Sequence, residues 1–221
     1  MAYTIGIIGG TGREGRGLGY RWAKAGHKII IGSRSEEKAL AAVEELKERL
    51  QGEGDVSGTT NEAAVRGCDI AVLTVPFAAH VPTLEGLKED LQGKILIDVV
   101  VPLVPPKVTR VQMPEEGSAA QQAQSILGEG VKVVAAFQTI SFEHLLSGEE
   151  IDCDVLVAGG DKAAREVVIG LAGDIGLKGW DAGVIQNAVV VEGLTSILIG
   201  LNLKHKVPSS GIRITGINDA A

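Results

Sequence analysis

A chain of 221 residues that is 45% hydrophobic buries one good-sized core, with room for a smaller appended lobe. Its 30 glycines follow no period and its prolines number only 7, which excludes a collagen-like or low-complexity chain. A net charge of -7 without a dense Lys/Arg block excludes the basic footprint that nucleic-acid partners require.

In chain order, the first strand-length apolar run covers residues 4–8 and breaks at Gly9-Gly10. No basic segment precedes it, so the start does not read as a secretory signal. A glycine-rich turn follows, then a helical stretch over 15–25 that Gly26 stops. A second strand over 28–31 leads into Gly32-Ser33-Arg34, and Ser35 is the N-cap of a charged helix that reaches Leu50. A short third strand fits over 56–60, after which Asn61 is a candidate cap for a short helix before Cys68. Further apolar runs at 69–75, 94–101, 131–137 and 154–158 read as strands. Several are continuous Val, Ile and Leu, the pattern of strands covered on both faces. The expected fold is α/β: a Rossmann-type doubly wound parallel sheet over residues 1–180, with a small helical C-terminal lobe over 181–221.

Residues 102–114 form the longest stretch without a regular pattern, directly after the strand at 94–101. A loop there lines the ligand crevice of an open α/β sheet or is a plain surface connection, and both readings stand. The last apolar stretch, 184–203, has the length of a membrane span but holds Gln186, Asn187, Glu192, Thr195 and Asn202. A buried helix is expected instead, and no membrane association. Such a helix, apolar around most of its circumference, wants cover from the body and from a second copy, which predicts a homodimer. Cys68 and Cys153 stand far apart with no CxxC pattern, so the expectation is no disulfide, no metal and reduced thiols in the cytoplasm.

Gly10-Thr11-Gly12-Arg13-Glu14-Gly15 fits G-x-G-x-x-G, follows an apolar strand and opens a helix, the context in which that pattern is specific for dinucleotides. Gly10 allows the tight turn, Gly12 the approach of a pyrophosphate, and Gly15 the packing of helix on strand. NAD-binding versions carry an acid about twenty residues on, for the ribose 2'-hydroxyl. Here the second strand ends on Ser33 and Arg34, a hydroxyl and a guanidinium suited to the 2'-phosphate of NADP. The competing reading makes Arg34 a solvated turn residue and gives a ribose to Glu36 or Glu37.

The blocks "GGTGREGRGLGYRWAKAGHKIIIGSR", "CDIAVLTVPF", "PLVPP" and "DAGVIQNAVVVEGLTSILIGLN" resemble the NADPH-dependent reductases of coenzyme F420, the 5-deazaflavin hydride carrier, over nearly the whole chain. The resemblance implies that Thr11, Gly12, Arg13 and Glu14 form the pyrophosphate turn, and Ser33, Arg34 and Lys38 the 2'-phosphate pocket. It also implies that Val75 and Pro76 wall the nicotinamide ribose and that Ala136 lies against the nicotinamide. Where this chain has Gln138 and Phe77, that family carries a histidine and a tryptophan.

Two ring systems that carry the reactive electronics themselves need only be stacked in order and shielded from water, so no side-chain acid or base is obligatory. That suits four histidines without triad-like spacing. His80 alone follows a strand end closely enough to polarise a ring carbonyl of the second cofactor. Lys107, Arg110, Lys204, Lys206 and Arg213 are candidates for a cationic rim, or plain solvated charge. With 3% aromatic content, the ring slot is aliphatic, and residues 101–105 supply such shapes. Two further readings stay open: an NADPH-dependent reductase of a small carbonyl or imine, and a non-catalytic NADP redox sensor.

Overall fold

The computed structural model describes residues 1–217, so the last four residues of the expected C-terminal lobe lie outside the described part. The first half runs β1 (Thr4–Ile8), α1 (Arg13–Lys24), β2 (Lys28–Ser33), α2 (Glu36–Arg49), β3 (Asp55–Thr60), α3 (Asn61–Arg66) and β4 (Ile70–Leu73). The chain continues through α4 (His80–Leu87), β5 (Ile95–Asp98), α5 (Ala119–Leu127), β6 (Lys132–Ala135) and α6 (Phe142–Ser147). It ends with β7 (Asp154–Gly159), α7 (Lys162–Asp174), β8 (Lys178–Gly183) and α8 (Ala188–His205).

The strands make one 8-stranded sheet in the order β3-β2-β1-β4-β5-β6-β7-β8. Alternate residues along each strand feed two cores. Ile5, Ile7, Val72, Ile97 and Val134 pack with Leu18 and Trp22 of α1, Leu46 of α2 and Leu171 of α7. Ile8, Leu73, Leu96 and Val133 pack on the opposite face with Val65 of α3, Leu84 of α4, Ala123 of α5 and Val191 of α8. Both strand faces are buried, which is why the runs read as continuous rather than alternating. The doubly wound α/β fold is as expected, and β1, paired with β2 on one side and β4 on the other, marks the switch point where such sheets open a crevice.

Four features differ from the reading of the sequence. The strand β7 pairs antiparallel to β6, so its start lies beyond the C-terminal end of β6, at the crevice side of the sheet. β8 has no counterpart among the expected strands: its sequence KGWDAG has no apolar run, and as the edge strand every one of its residues is at least partly exposed. β5 and β6 are shorter than their apolar runs. Beyond β5, the Asp98 carboxylate takes the Val100 N–H at 3.0 Å, and beyond β6, Phe137 turns to φ +73°. Thr60, not Asn61, caps α3, accepting from Ala63 N at 3.3 Å.

The helix α8 is covered on one side only. Ala188, Val191, Ser196 and Leu198 are buried, whereas Val190, Ile197 and Leu201 are 60%, 50% and 41% exposed. By length and composition alone residues Ile185–His205 could cross a membrane, yet they contain Glu192, which is wholly buried against the protein. The irregular segment 109–113 lies along α8: the Ser196 hydroxyl donates to Arg110 O at 3.4 Å, and Gly193 leaves room for Val111 and Met113. After α8 the chain returns to the start of β7, where Asp154 N donates to Ile212 O and Ile214 N to Asp154 Oδ2, both at 2.8 Å.

Candidate nucleotide site

The turn between β1 and α1 is clasped to the tip of β2. Gly10 N–H reaches both Ile7 O (3.2 Å) and Gly32 O (2.9 Å), which brings Ser33 and Arg34 beside the turn. Asn61 has a different role from the cap expected of it: its Oδ1 accepts the Gly9 N–H at 3.1 Å and fixes the turn from the α3 side. No side chain caps α1, so the donors of its first turn face the crevice mouth with their dipole intact.

Two glycines of the motif are bare for different reasons. A Cβ at Gly15 would stand 2.7 Å from Gly10 Cα and 2.8 Å from Thr74 Oγ1, so the fold itself requires the glycine. A Cβ at Gly12 would meet only Gly9 O, at 3.6 Å, and its φ of -70° suits any residue. Neither packing nor dihedral angle asks for glycine at that exposed position.

Ser33 is buried and its hydroxyl accepts from Ser35 N at 3.2 Å. Arg34 is exposed, with no hydrogen-bond or ion-pair partner among the described residues, and Lys38 is exposed one turn into α2. Thr11 is half-buried beside exposed Gly12 and Arg13, and the Arg13 guanidinium lies 5.0 Å over the Phe142 ring. Glu14 is half-buried, but its Oε1 is buried without a hydrogen-bond partner, and burial pushes its carboxyl up to about 8.

At the other end of the crevice, Val75 and Pro76 follow β4 and Ala136 follows β6, on either side of β5. Val75 is half-buried, Pro76 exposed and Ala136 fully buried. The sequence allows His80 to reach a ring carbonyl of the second cofactor, and the structure engages it elsewhere. His80 is fully buried, with Nδ1 at 3.0 Å from Gln122 Oε1 and Nε2 at 2.9 Å from Asp98 Oδ2, which leaves no ring nitrogen for a ligand. Burial alone would lower its pKa. The hydrogen bond and charge of Asp98, with Gln122 and Glu192 adding, outweigh that and raise it.

Glu192 crosses from α8 to the start of α5 and accepts from Ala119 N (2.7 Å) and Ala120 N (3.0 Å). Burial first, then the Asp98 charge, pushes its carboxyl up to about 8, against the two backbone donors that favour the ionised form. Asp98 and Glu192 each stand as a lone carboxylate inside an apolar run, a signal the sequence offers; Gln122, an amide among the polar residues of α5, offers none. Of the candidate rim, Lys107, Arg110, Lys204 and Lys206 are exposed, whereas Arg213 is engaged by Asp152 and, at 3.7 Å, by Asp154.

Residues 4–102 match the sequence profile of the family described as NADP oxidoreductase coenzyme F420-dependent. The chain is 42% identical to the F420-dependent NADP reductase of Methanocaldococcus jannaschii, over 96% of this chain and 98% of that one. It belongs to the F420-dependent NADP reductases. The relative from Methanothermobacter thermautotrophicus is 41% identical over 98% of this chain and 97% of its own. Among solved structures, a putative F420-dependent NADP reductase from Arthrobacter sp. fb24 superposes with a TM-score of 0.81 at 26% identity, covering 97% of this chain and all of that one. In this F420-dependent NADP reductase, the clasped turn and the cation at the tip of β2 lie together at the C-terminal ends of β1 and β2.

Proposed function

We propose that this F420-dependent NADP reductase passes a hydride directly between C4 of NADP(H) and C5 of the deazaflavin, with no obligatory side-chain acid or base. The observation that carries the nucleotide half is the turn itself: glycine at position 12 where the fold does not need it, beside an unpaired guanidinium at 34. Gly10, Thr11, Gly12, Arg13 and Glu14 receive the pyrophosphate, and Ser33, Arg34 and Lys38 hold the 2'-phosphate. Val75, Pro76 and Ala136 flank the nicotinamide and its ribose. The deazaflavin supplies the hydride-accepting carbon when bound. The chain's own part is to stack the two rings at the ends of β4, β5 and β6 and to keep water out with α8 and the 102–114 segment.

The nucleotide domain expected over 1–180 extends to the end of β8 at Gly183, and α8 with the described residues after it serves as the lobe that closes the ring end and meets a second copy. The stripe Val190, Ile197, Leu201 on α8 supports a homodimer, because exposed apolar side chains at heptad spacing lose free energy in water until covered. Sedimentation at micromolar concentration should give twice the chain mass, and Ile197→Glu should halve it. A cytoplasmic setting agrees with two free, buried cysteines whose thiols burial pushes up, away from reactive thiolate.

The test mixes purified protein, NADPH and oxidised F420 and follows the loss of the deazaflavin's visible absorbance. Turnover with NADPH and little with NADH supports the reading. Tight NADPH binding without turnover, or reduction of small imines instead of the deazaflavin, refutes it.

A further inference from the structure

Beneath the ring end of the crevice runs a line of hydrogen bonds that the hydride reaction does not use. Gln122 Nε2 donates to the Glu116 carboxylate at 3.2 Å, so Gln122 Oε1, 3.0 Å from His80 Nδ1, can only accept. His80 Nδ1 therefore carries a hydrogen, and Nε2 shares another with Asp98 Oδ2 at 2.9 Å. Inside the protein Asp98 holds three more groups: Oδ1 accepts the Val100 N–H at 3.0 Å, and its main-chain oxygen accepts Gln138 Nε2 at 2.7 Å and the Ala136 N–H at 3.4 Å. The Gln138 backbone is held as well, its carbonyl accepting from the Thr195 hydroxyl of α8 at 2.9 Å.

With Nε2 committed to Asp98, the Gln138 amide has one orientation. Its Oε1 is left buried without a hydrogen-bond partner among the described residues, on a residue only 6% exposed. A buried acceptor is costly to leave unmet. The residue before it, Phe137, takes φ +73°, a left-handed backbone that bulky side chains rarely adopt and that folded chains keep at ligand sites. Both features stand two residues or fewer from Ala136, at the end of β6.

We propose that the relay Glu116, Gln122, His80, Asp98 is a positioning device for the ring site, and that it aims Gln138 Oε1 to accept a hydrogen bond from an amide N–H of a bound ring. The inference rests on the reaction proposed above. The donor is the nicotinamide carboxamide or the imide of the deazaflavin, two sources of one chemistry. Gln138 touches the ring and selects for it, since a ring without that N–H leaves the acceptor bare. His80 and Asp98 act only through Gln138.

Replacing Gln138 by Leu should lower kcat/KM for deazaflavin reduction on the order of tenfold to a hundredfold, and leave the affinity for 2',5'-ADP, which lacks both rings, unchanged. Repeating the comparison with the 3-acetylpyridine analogue of NADPH, which has no amide N–H, separates the sources. A penalty that vanishes with the analogue assigns the carboxamide; one that persists assigns the imide. His80→Asn should reproduce the loss and, combined with Gln138→Leu, add nothing. Glu116→Ala, at the exposed end where folding is not at risk, should cost several-fold and remove the doubly protonated ring signature of His80 from the 15N NMR spectrum.

A Gln138→Leu enzyme within twofold of wild type with both nucleotides overturns the relay and leaves the reaction standing, as do His80 and Gln138 losses that multiply. A wild type that binds NADPH and never reduces the deazaflavin overturns the reaction and this inference with it.

Discussion

The two ends of the crevice are built in opposite ways. The phosphate end comes from one short stretch of chain, is largely exposed, and keeps the Arg34 guanidinium and the first-turn N–H groups of α1 without partners among the described residues. The ring end is assembled from α4, β5, α5, β6 and α8, buries His80, Asp98, Gln138 and Glu192, and has its donors already satisfied. The difference follows from solvation. A cation at the surface stays hydrated until a phosphate replaces the water, whereas a buried carboxylate or imidazole must find its partners within the fold. The first end can therefore wait for its ligand, and the second is complete beforehand except for the acceptor at Gln138 Oε1.

From that contrast, substitutions of exposed groups at the phosphate end change binding and spare the fold, and those of buried groups at the ring end do both. The largest effect belongs to Arg34→Ala. Charge-assisted hydrogen bonds contribute about 1.5–3 kcal/mol each, so the Kd for NADPH should rise about tenfold to a hundredfold in a fluorescence titration, with NADH unchanged. Equal weakening of both nucleotides would break the assignment.

The two glycines sharpen the comparison within a single turn. Gly15→Ala forces a methyl against Gly10 and Thr74 and should lower the stability by about 1–3 kcal/mol in a denaturant titration. Gly12→Ala should stay within about 0.5 kcal/mol of wild type and still weaken NADPH.

pH separates the ends further. Glu192, held near 8 in the folded protein against an ordinary 4.5, keeps a proton that the unfolded chain releases. Its contribution to stability is thus complete below about pH 4.5 and lost as the pH rises to about 8, at up to about 1.4 kcal/mol per pH unit. His80, also raised, acts in the same direction. Glu192→Gln should flatten the fall in unfolding free energy between pH 5 and 8. The smallest effect is that of Glu14, also near 8 and neutral at pH 7 beside the proposed pyrophosphate. NADPH affinity should drop a few-fold between pH 7 and 9, and Glu14→Gln should abolish that drop.

What could be read from the sequence follows the same division. The glycine turn, β1, β2 and the cation at the tip of β2 lie within one another's local reach, so spacing and residue type announce them. The direction of β7 leaves no mark in its hydrophobic period, and β8 hides because Gly179, Asp181 and Gly183 break the apolar run that a central strand would show. Asn61 looks like a cap by position, but Thr60 reaches the free N–H first and releases Asn61 to the Gly9 amide. His80, Asp98, Gln122 and Gln138 meet only in three dimensions. The place of His80 after a strand end and the isolated charge of Asp98 in an apolar strand mark single residues in the sequence, and neither tells that the four meet.

The account turns on the hydride passing straight from one ring to the other, and isotope transfer tests this most directly. NADPH carrying deuterium at C4 on the transferred face, turned over with oxidised F420 in ordinary water, should yield reduced deazaflavin with the label retained at C5. Label found in the solvent, with protium at C5, would show that a protein group or water handles the hydrogen and would contradict the account.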